Sequence, residues 1–212
     1  MKSLLIVLFG LLSLSTFGQS AKPAFDGKKW EAPYTLEVPK GWDIERFLIP
    51  IEFAPFIPYK GVEDIRFTPG WGNVKSEEYW SYAFLWYLDN RPQLSATVVA
   101  NNLIAYYTGL ISRNIAPRKI PAEKVFPVTA QIKATKTAPG DTNTFMGTVH
   151  MLDYMEQTPI TLNCIVHARS CPGQNKFIIF NEISPKPFND GVWTNLNQLW
   201  TRFSCDKAAE KK

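Results

Sequence analysis

The stretch EEYWSYAFLWYLDN, residues 77–90, carries six aromatic rings between Tyr79 and Tyr87. Whether it is helix or strand decides the architecture. With a period of two, Trp80, Tyr82, Phe84, Trp86 and Leu88 share one face, and Tyr79, Ser81, Ala83, Leu85 and Tyr87 share the other. A helix beginning at Ser76, with Glu77 and Glu78 in its first turn, would be apolar all round, and dense aromatics favour a strand. The spacing therefore predicts a central strand covered on both sides. Its rings then face each other rather than a ligand, each burying about 150–250 Å². The ring expected to stand exposed is Trp71, just upstream in the Pro-Gly turn TPGWGN (68–73).

Beyond this strand the period changes. Val99, Leu103, Tyr106 and Leu110 recur at helical spacing from Ser95 to about Asn114, with Ser95 or Thr97 as cap and Pro117 past the end. Gly109 costs such a helix about 1 kcal/mol relative to alanine, which suggests close packing on a neighbour. Four extended segments follow, about 126–135, 143–155, 160–170 and 176–183, separated by the turn signals APGD, EQTP and CPGQ. They read as an antiparallel meander. A closing helix over about 191–205 places Val192, Leu196, Leu199 and Phe203 on one stripe, with Asp190 as cap. Before residue 77, YTLEVPKGW, ERFLIPIEF and IRFTPGWGN read as short extended pieces, and Pro50, Pro55, Pro58 and Pro69 restrict them to edge strands and ordered loops. The fold class is α+β, an antiparallel sheet packed by two main helices. LEVPKGW near the start and KFIIFNEISPKPF before the last helix resemble the way PsbP/Mog1-like domains open and close. That resemblance covers these two ends, implies an αβα sandwich and transfers no functional residue.

The N-terminus has one basic residue, Lys2, an apolar run from Leu4 to about Leu14, and then small residues. This is the layout of a secretory signal peptide over 1–20, with cleavage near 18–20. A run of that length is too short for an ordinary membrane-spanning helix. The expectation is one domain over 21–206, a charged tail over 207–212, export to a periplasmic or secreted location, and no membrane insertion after cleavage. The net charge of +4 is spread among 23 basic and 19 acidic residues without a basic stripe, which argues against nucleic acid as a partner.

Export gives the three cysteines meaning. Cys164, in a strand extended to Ser170, lies roughly 20 Å from Cys171 at about 3.3 Å per residue. The last helix should run back toward the CPGQ turn, so Cys171 is expected to pair with Cys205. Cys164 remains as a buried thiol, with three unpaired cysteines as the competing reading.

Matching the apolar faces of the meander puts His150 and His167 on one face of adjacent strands, opposed or diagonal, with Asn163, Arg169 and Glu182 beside them; Glu182 is expected opposite Asn163. His150, His167 and Glu182 are candidate catalytic or metal-ligating groups. The competing reading is the wetter face of a sheet, partly covered by a helix, since a zinc site ordinarily takes three or four protein ligands. Cys164 points to the opposite face and is a poor nucleophile for either histidine. The adjacent carboxylates Asp43 with Glu45 and Glu63 with Asp64 read as solvated pairs. No G-x-S-x-G, H-E-x-x-H, P-loop or G-x-G-x-x-G motif occurs.

The favoured reading is an exported, non-enzymatic module that binds a small ligand or a protein partner, with Trp71, Asn163 and Arg169 as candidate binding residues and no cofactor. The alternative is a hydrolase or metal-dependent enzyme built on His150, His167 and Glu182.

Overall fold

The aromatic stretch is a strand, though a shorter one than its sequence suggests. In the computed structural model, which describes residues 25–207, β3 spans Tyr82–Leu88 and every residue in it is buried. Residues 77–80 belong instead to a turn that leaves Trp80 at φ +55°. The leader read at 1–20 and the tail from 208 onward lie outside the described residues.

Around β3 stand β1 (Asp43–Ile49), β2 (Gly61–Phe67), β4 (Thr129–Ala134), β5 (Asn143–Asp153), β6 (Thr158–Cys171) and β7 (Lys176–Ser184). They form one seven-stranded sheet in the order β1-β2-β3-β7-β6-β5-β4. Every neighbouring pair is antiparallel. The fold is α+β, and the central position of β3 explains its two apolar faces. Tyr82, Phe84, Trp86 and Leu88 pack with Val99, Leu103, Tyr106 and Tyr107 of α1 (Ala96–Ile115). Ala83, Leu85 and Tyr87 pack with Trp193, Leu196 and Trp200 of α2 (Val192–Thr201). Two apolar cores, one per sheet face, are the result.

Ser95 caps α1 as its sequence suggests, accepting from Val98 N; at α2 the cap position falls on Gly191, and Asp190 one residue earlier accepts from Val192 N at 2.9 Å. Gly109 sits where a Cβ would collide with the Phe53 carbonyl, so the residue that weakens α1 also lets the β1–β2 connection lie directly against it. α2 ends earlier than expected, and Ser204 beyond it makes an isolated bridge to Thr35. This bridge replaces the strand expected in YTLEVPKGW.

The proline-rich region also differs from expectation. β1 is an edge strand, but β2 is interior, because Pro58 and Pro69 flank it rather than interrupt it. Cys171 and Cys205 form a disulfide with Cα atoms 5.5 Å apart, and Cys164 is a buried free thiol. No helix among the described residues is long and apolar enough to cross a membrane.

Candidate functional site

Among the described residues two regions concentrate polar and aromatic chemistry, one on each face of the sheet. The first is centred on His167. Its partner across the β5–β6 ladder is Thr144, while His150 lies opposite Thr161, six residues further along β5. At about 3.3 Å per residue the two histidines are roughly 20 Å apart. The expected histidine pair is therefore absent: same-face matching holds, but the register separates them. His150 is exposed, shares a 3.0 Å hydrogen bond with Thr161 Oγ1 and stacks on Phe126. Glu182 lies opposite Ile165, and Asn163 lies opposite Ser184, one pair away from the expected register.

What His167 meets instead is Asp141, from the APGD turn. Asp141 Oδ2 lies 2.7 Å from Nδ1 and also accepts from Thr144 Oγ1, while Asp141 Oδ1 accepts from Trp200 Nε1 at 3.0 Å. On the other side of the ring, Nε2 lies 3.2 Å from Glu182 Oε1, an ion-pair distance without hydrogen-bond alignment. Arg169 reaches Asp141 at 3.4 Å and the Pro139 carbonyl at 3.2 Å, with its guanidinium 4.1 Å over the Trp200 ring. Asn163 donates to the Lys186 carbonyl at 2.9 Å. Burial alone would pull the His167 pKa down, but the hydrogen bonds and charges of Asp141 and Glu182 outweigh it and hold it above the ordinary value. Burial raises Glu182, with His167 and Asn197 opposing.

This cluster is closed. His167 is 2% exposed and stacks under Trp200 at 5.1 Å, with both ring nitrogens against carboxylates. It ties the 136–142 turn, β6, β7 and α2 together, while His167 Nε2, Arg169 Nε and Glu182 Oε2 are buried without a hydrogen-bond partner. Cys164 packs in the opposite core, with burial pushing its thiol up to about 12. No group of three or more His, Cys, Asp or Glu residues that could hold a metal occurs among the described residues.

The second region is built around the turn between β2 and β3. Trp80 N donates to the Trp71 carbonyl at 3.0 Å, Thr68 Oγ1 donates to the Ser81 carbonyl at 2.8 Å, and Glu78 accepts from Gly70 N at 2.9 Å. Tyr79 OH anchors the turn to Asp153 at 2.6 Å. This cross-bracing brings the two indoles together, 5.9 Å apart at 67°. Trp71 is not the exposed ring expected: it is half-buried and packs on Phe67 and Tyr82 as well. A positive φ is strained for a residue as bulky as Trp80, costing about 1–3 kcal/mol, and such strain concentrates at functional sites.

These rings wall a cavity of about 80 Å³ between the sheet and α1, together with Tyr82, Phe53 and Tyr106, and with Glu45 and Arg113 also lining it. A wider groove of about 380 Å³ continues from it along the edge strand, sharing Glu45, Phe47, Phe53 and Arg113 and adding Phe25 and Glu52. Trp71 Nε1 and Trp80 Nε1 are both buried without an acceptor. The Trp80 N–H lies near enough to the Tyr79 phenol to influence it, so the Trp71 donor is the cleaner orphan. Beneath the cavity wall, Glu63 accepts from Tyr106 OH at 2.7 Å and Trp86 Nε1 at 3.0 Å, and burial pushes its pKa up to about 8 against those hydrogen bonds. Asp64 faces the other core, bonded by Tyr34, Arg46 and Arg66. The two neighbours are thus buried on opposite faces, neither a solvated pair nor an acid–base pair.

Sequence reasoning missed Asp141, which reads as turn punctuation, and Trp200, which reads as helix stripe. It also missed Glu63 as a buried support, for which the only signal is an acid inside a run bounded by Val62 and Ile65.

The fold and the cavity define an α+β module with an aromatic pocket at one edge of its sheet. No family model, no curated protein and no solved structure matches the chain.

Proposed function

We propose that the chain is an exported, non-enzymatic binding module whose site is the cavity walled by Trp71, Trp80 and Tyr106, with the edge-strand groove holding the remainder of its ligand. The observation that carries this reading is the buried Trp71 N–H without an acceptor in a cavity wall. An unmet buried donor costs about 1–3 kcal/mol, and a ligand oxygen would satisfy it. The strained Trp80 backbone, held by the braced turn, supports the same reading. Export is supported by the Cys171–Cys205 disulfide, which is at home in an oxidising compartment.

The test uses the seven indole N–H signals of the ¹⁵N-labelled protein, with Trp71→Phe and Trp200→Phe assigning two of them. A fragment library should contain compounds that shift the Trp71 signal and leave the Trp200 signal, bonded to Asp141, in place. If no fragment shifts Trp71, or if hits shift Trp200 instead, the pocket is not the site.

A further inference from the structure

We infer that the ligand, given the pocket reading above on which this rests, is a small zwitterion whose methylated ammonium group enters the cavity and whose carboxylate stays at its mouth. Four features lead there. Of the twelve residues that line the cavity, eight are aromatic, and Ile65 and Leu110 are the aliphatic ones. An apolar chain would be served as well by leucines; rings are favoured where a cation must be held against π faces. Several of the rings stand edge-on and form walls, Trp71 meeting Tyr82 at 79°, Trp80 meeting Tyr154 at 75° and Phe53 meeting Tyr106 at 74°, while Phe67 stacks on Tyr82 at 29°. The enclosed space of about 80 Å³ exceeds the roughly 10–15 Å³ one water needs and falls well short of the roughly 300 Å³ of a drug-sized pocket. It suits one compact head group.

The two charges on the lining complete the match. Glu45 makes no hydrogen bond or ion pair among the described residues, and Arg113 makes only a cation–π contact with Phe53 at 5.2 Å. An ammonium would meet the π faces and Glu45. Its carboxylate would meet Arg113 and the orphan Trp71 N–H, a donor that a bare cation cannot satisfy.

Glycine betaine and 3,3-dimethylbutanoate separate the elements, since they share shape and carboxylate and differ in the cation. Calorimetry and the Trp71 signal should show betaine binding about tenfold or more tighter, with Glu45→Gln narrowing that gap and Arg113→Gln weakening both ligands. Choline, which lacks the carboxylate, should bind more weakly than betaine. Equal or tighter binding of dimethylbutanoate would overturn the ammonium assignment while leaving the pocket reading intact, and choline equal to betaine would overturn the carboxylate assignment. Silence from all three probes, with library fragments still shifting Trp71, would discard the ligand class alone. Silence from probes and library together would discard the pocket as well.

Discussion

The two sheet faces bury polar chemistry in opposite ways. On the α2 face, Asp141 bonds His167 Nδ1, Thr144, Trp200 and Arg169 at once, and Glu182 stands at ion-pair distance on the far side of the imidazole. On the α1 face, the Trp71 N–H is left without an acceptor in the wall of a cavity that the exposed Glu45 and Arg113 also line. The histidine cluster looks more like an active site when read from residue types alone, and His167 Nε2, Arg169 Nε and Glu182 Oε2 are orphaned there too. Yet His167 is packed beneath Trp200 and 2% exposed, whereas the Trp71 donor belongs to a cavity wall. Unfilled capacity next to space, rather than the presence of reactive side chains, is what separates a site from a strut.

The contrast is broken most decisively at Asp141. Asp141→Ala leaves the histidine and an indole N–H buried without their partner, and removing one member of a buried ionic network costs about 3–5 kcal/mol. Urea unfolding should show that loss, and the Trp71 indole signal should stay where it is. A loss under about 1 kcal/mol would mean the cluster is not what holds α2 to the sheet.

Next comes the covalent tie on the same side. Cys171 and Cys205 are 34 residues apart, and a loop of that size corresponds to about 3–4 kcal/mol of chain entropy. The paired Cys171→Ser, Cys205→Ser variant should lose about that much in urea unfolding, while its fragment hits keep their affinity. Loss of binding in a folded double variant would join the two faces functionally and erase the distinction between strut and site.

How much of this is legible in the sequence follows from the range of the forces involved. Period two at residues 80–88 and helical spacing at 99–110 report local burial, so β3, α1 and the face assignment of Cys164 can be read directly. The cysteine pairing follows from chain direction and reach. Register is different: His150 and His167 share a face in several registers, and the length and position of the turn at 154–157 decide that they stand six residues apart. Asp141 is invisible for a related reason, since a turn aspartate becomes a buried anchor only once α2 arrives overhead. The cavity is half legible. Trp71 stands out as a lone ring in a Pro-Gly turn, but the Trp80 N to Trp71 carbonyl hydrogen bond that folds it inward joins residues nine apart with no periodic signature.

Acid titration sharpens the comparison, because both faces carry groups displaced in the same direction. His167 sits above its ordinary 6.5, so its contribution is full below that value and is lost as pH rises through the raised folded value. Glu63, raised from 4.5 to about 8, binds its proton more tightly folded than unfolded. Its contribution is full below 4.5 and declines until about 8. Stability should therefore fall between pH 5 and pH 8, by no more than about 1.4 kcal/mol per unit for each group. Glu63→Gln keeps a carbonyl acceptor for Tyr106 or Trp86 and removes the α1-face share, so its unfolding free energy should decline less steeply than wild type. A profile that is flat or rises over this window would contradict both assignments.

The smallest effect tests the register itself. His150 is exposed, with one hydrogen bond to Thr161 and one stacking partner, Phe126, so His150→Ala should change stability by no more than about 0.5 kcal/mol. At roughly 20 Å from His167 it shares no partner with the cluster, and sites more than about 7–10 Å apart add within about 0.3–0.5 kcal/mol. In the cycle of His150→Ala, His167→Ala and the double variant, the two single losses should sum to the double loss within that margin. An interaction energy above about 1 kcal/mol would place the two imidazoles in contact. That would restore a histidine pair and a metal or acid–base site on the α2 face as a rival to the cavity at Trp71.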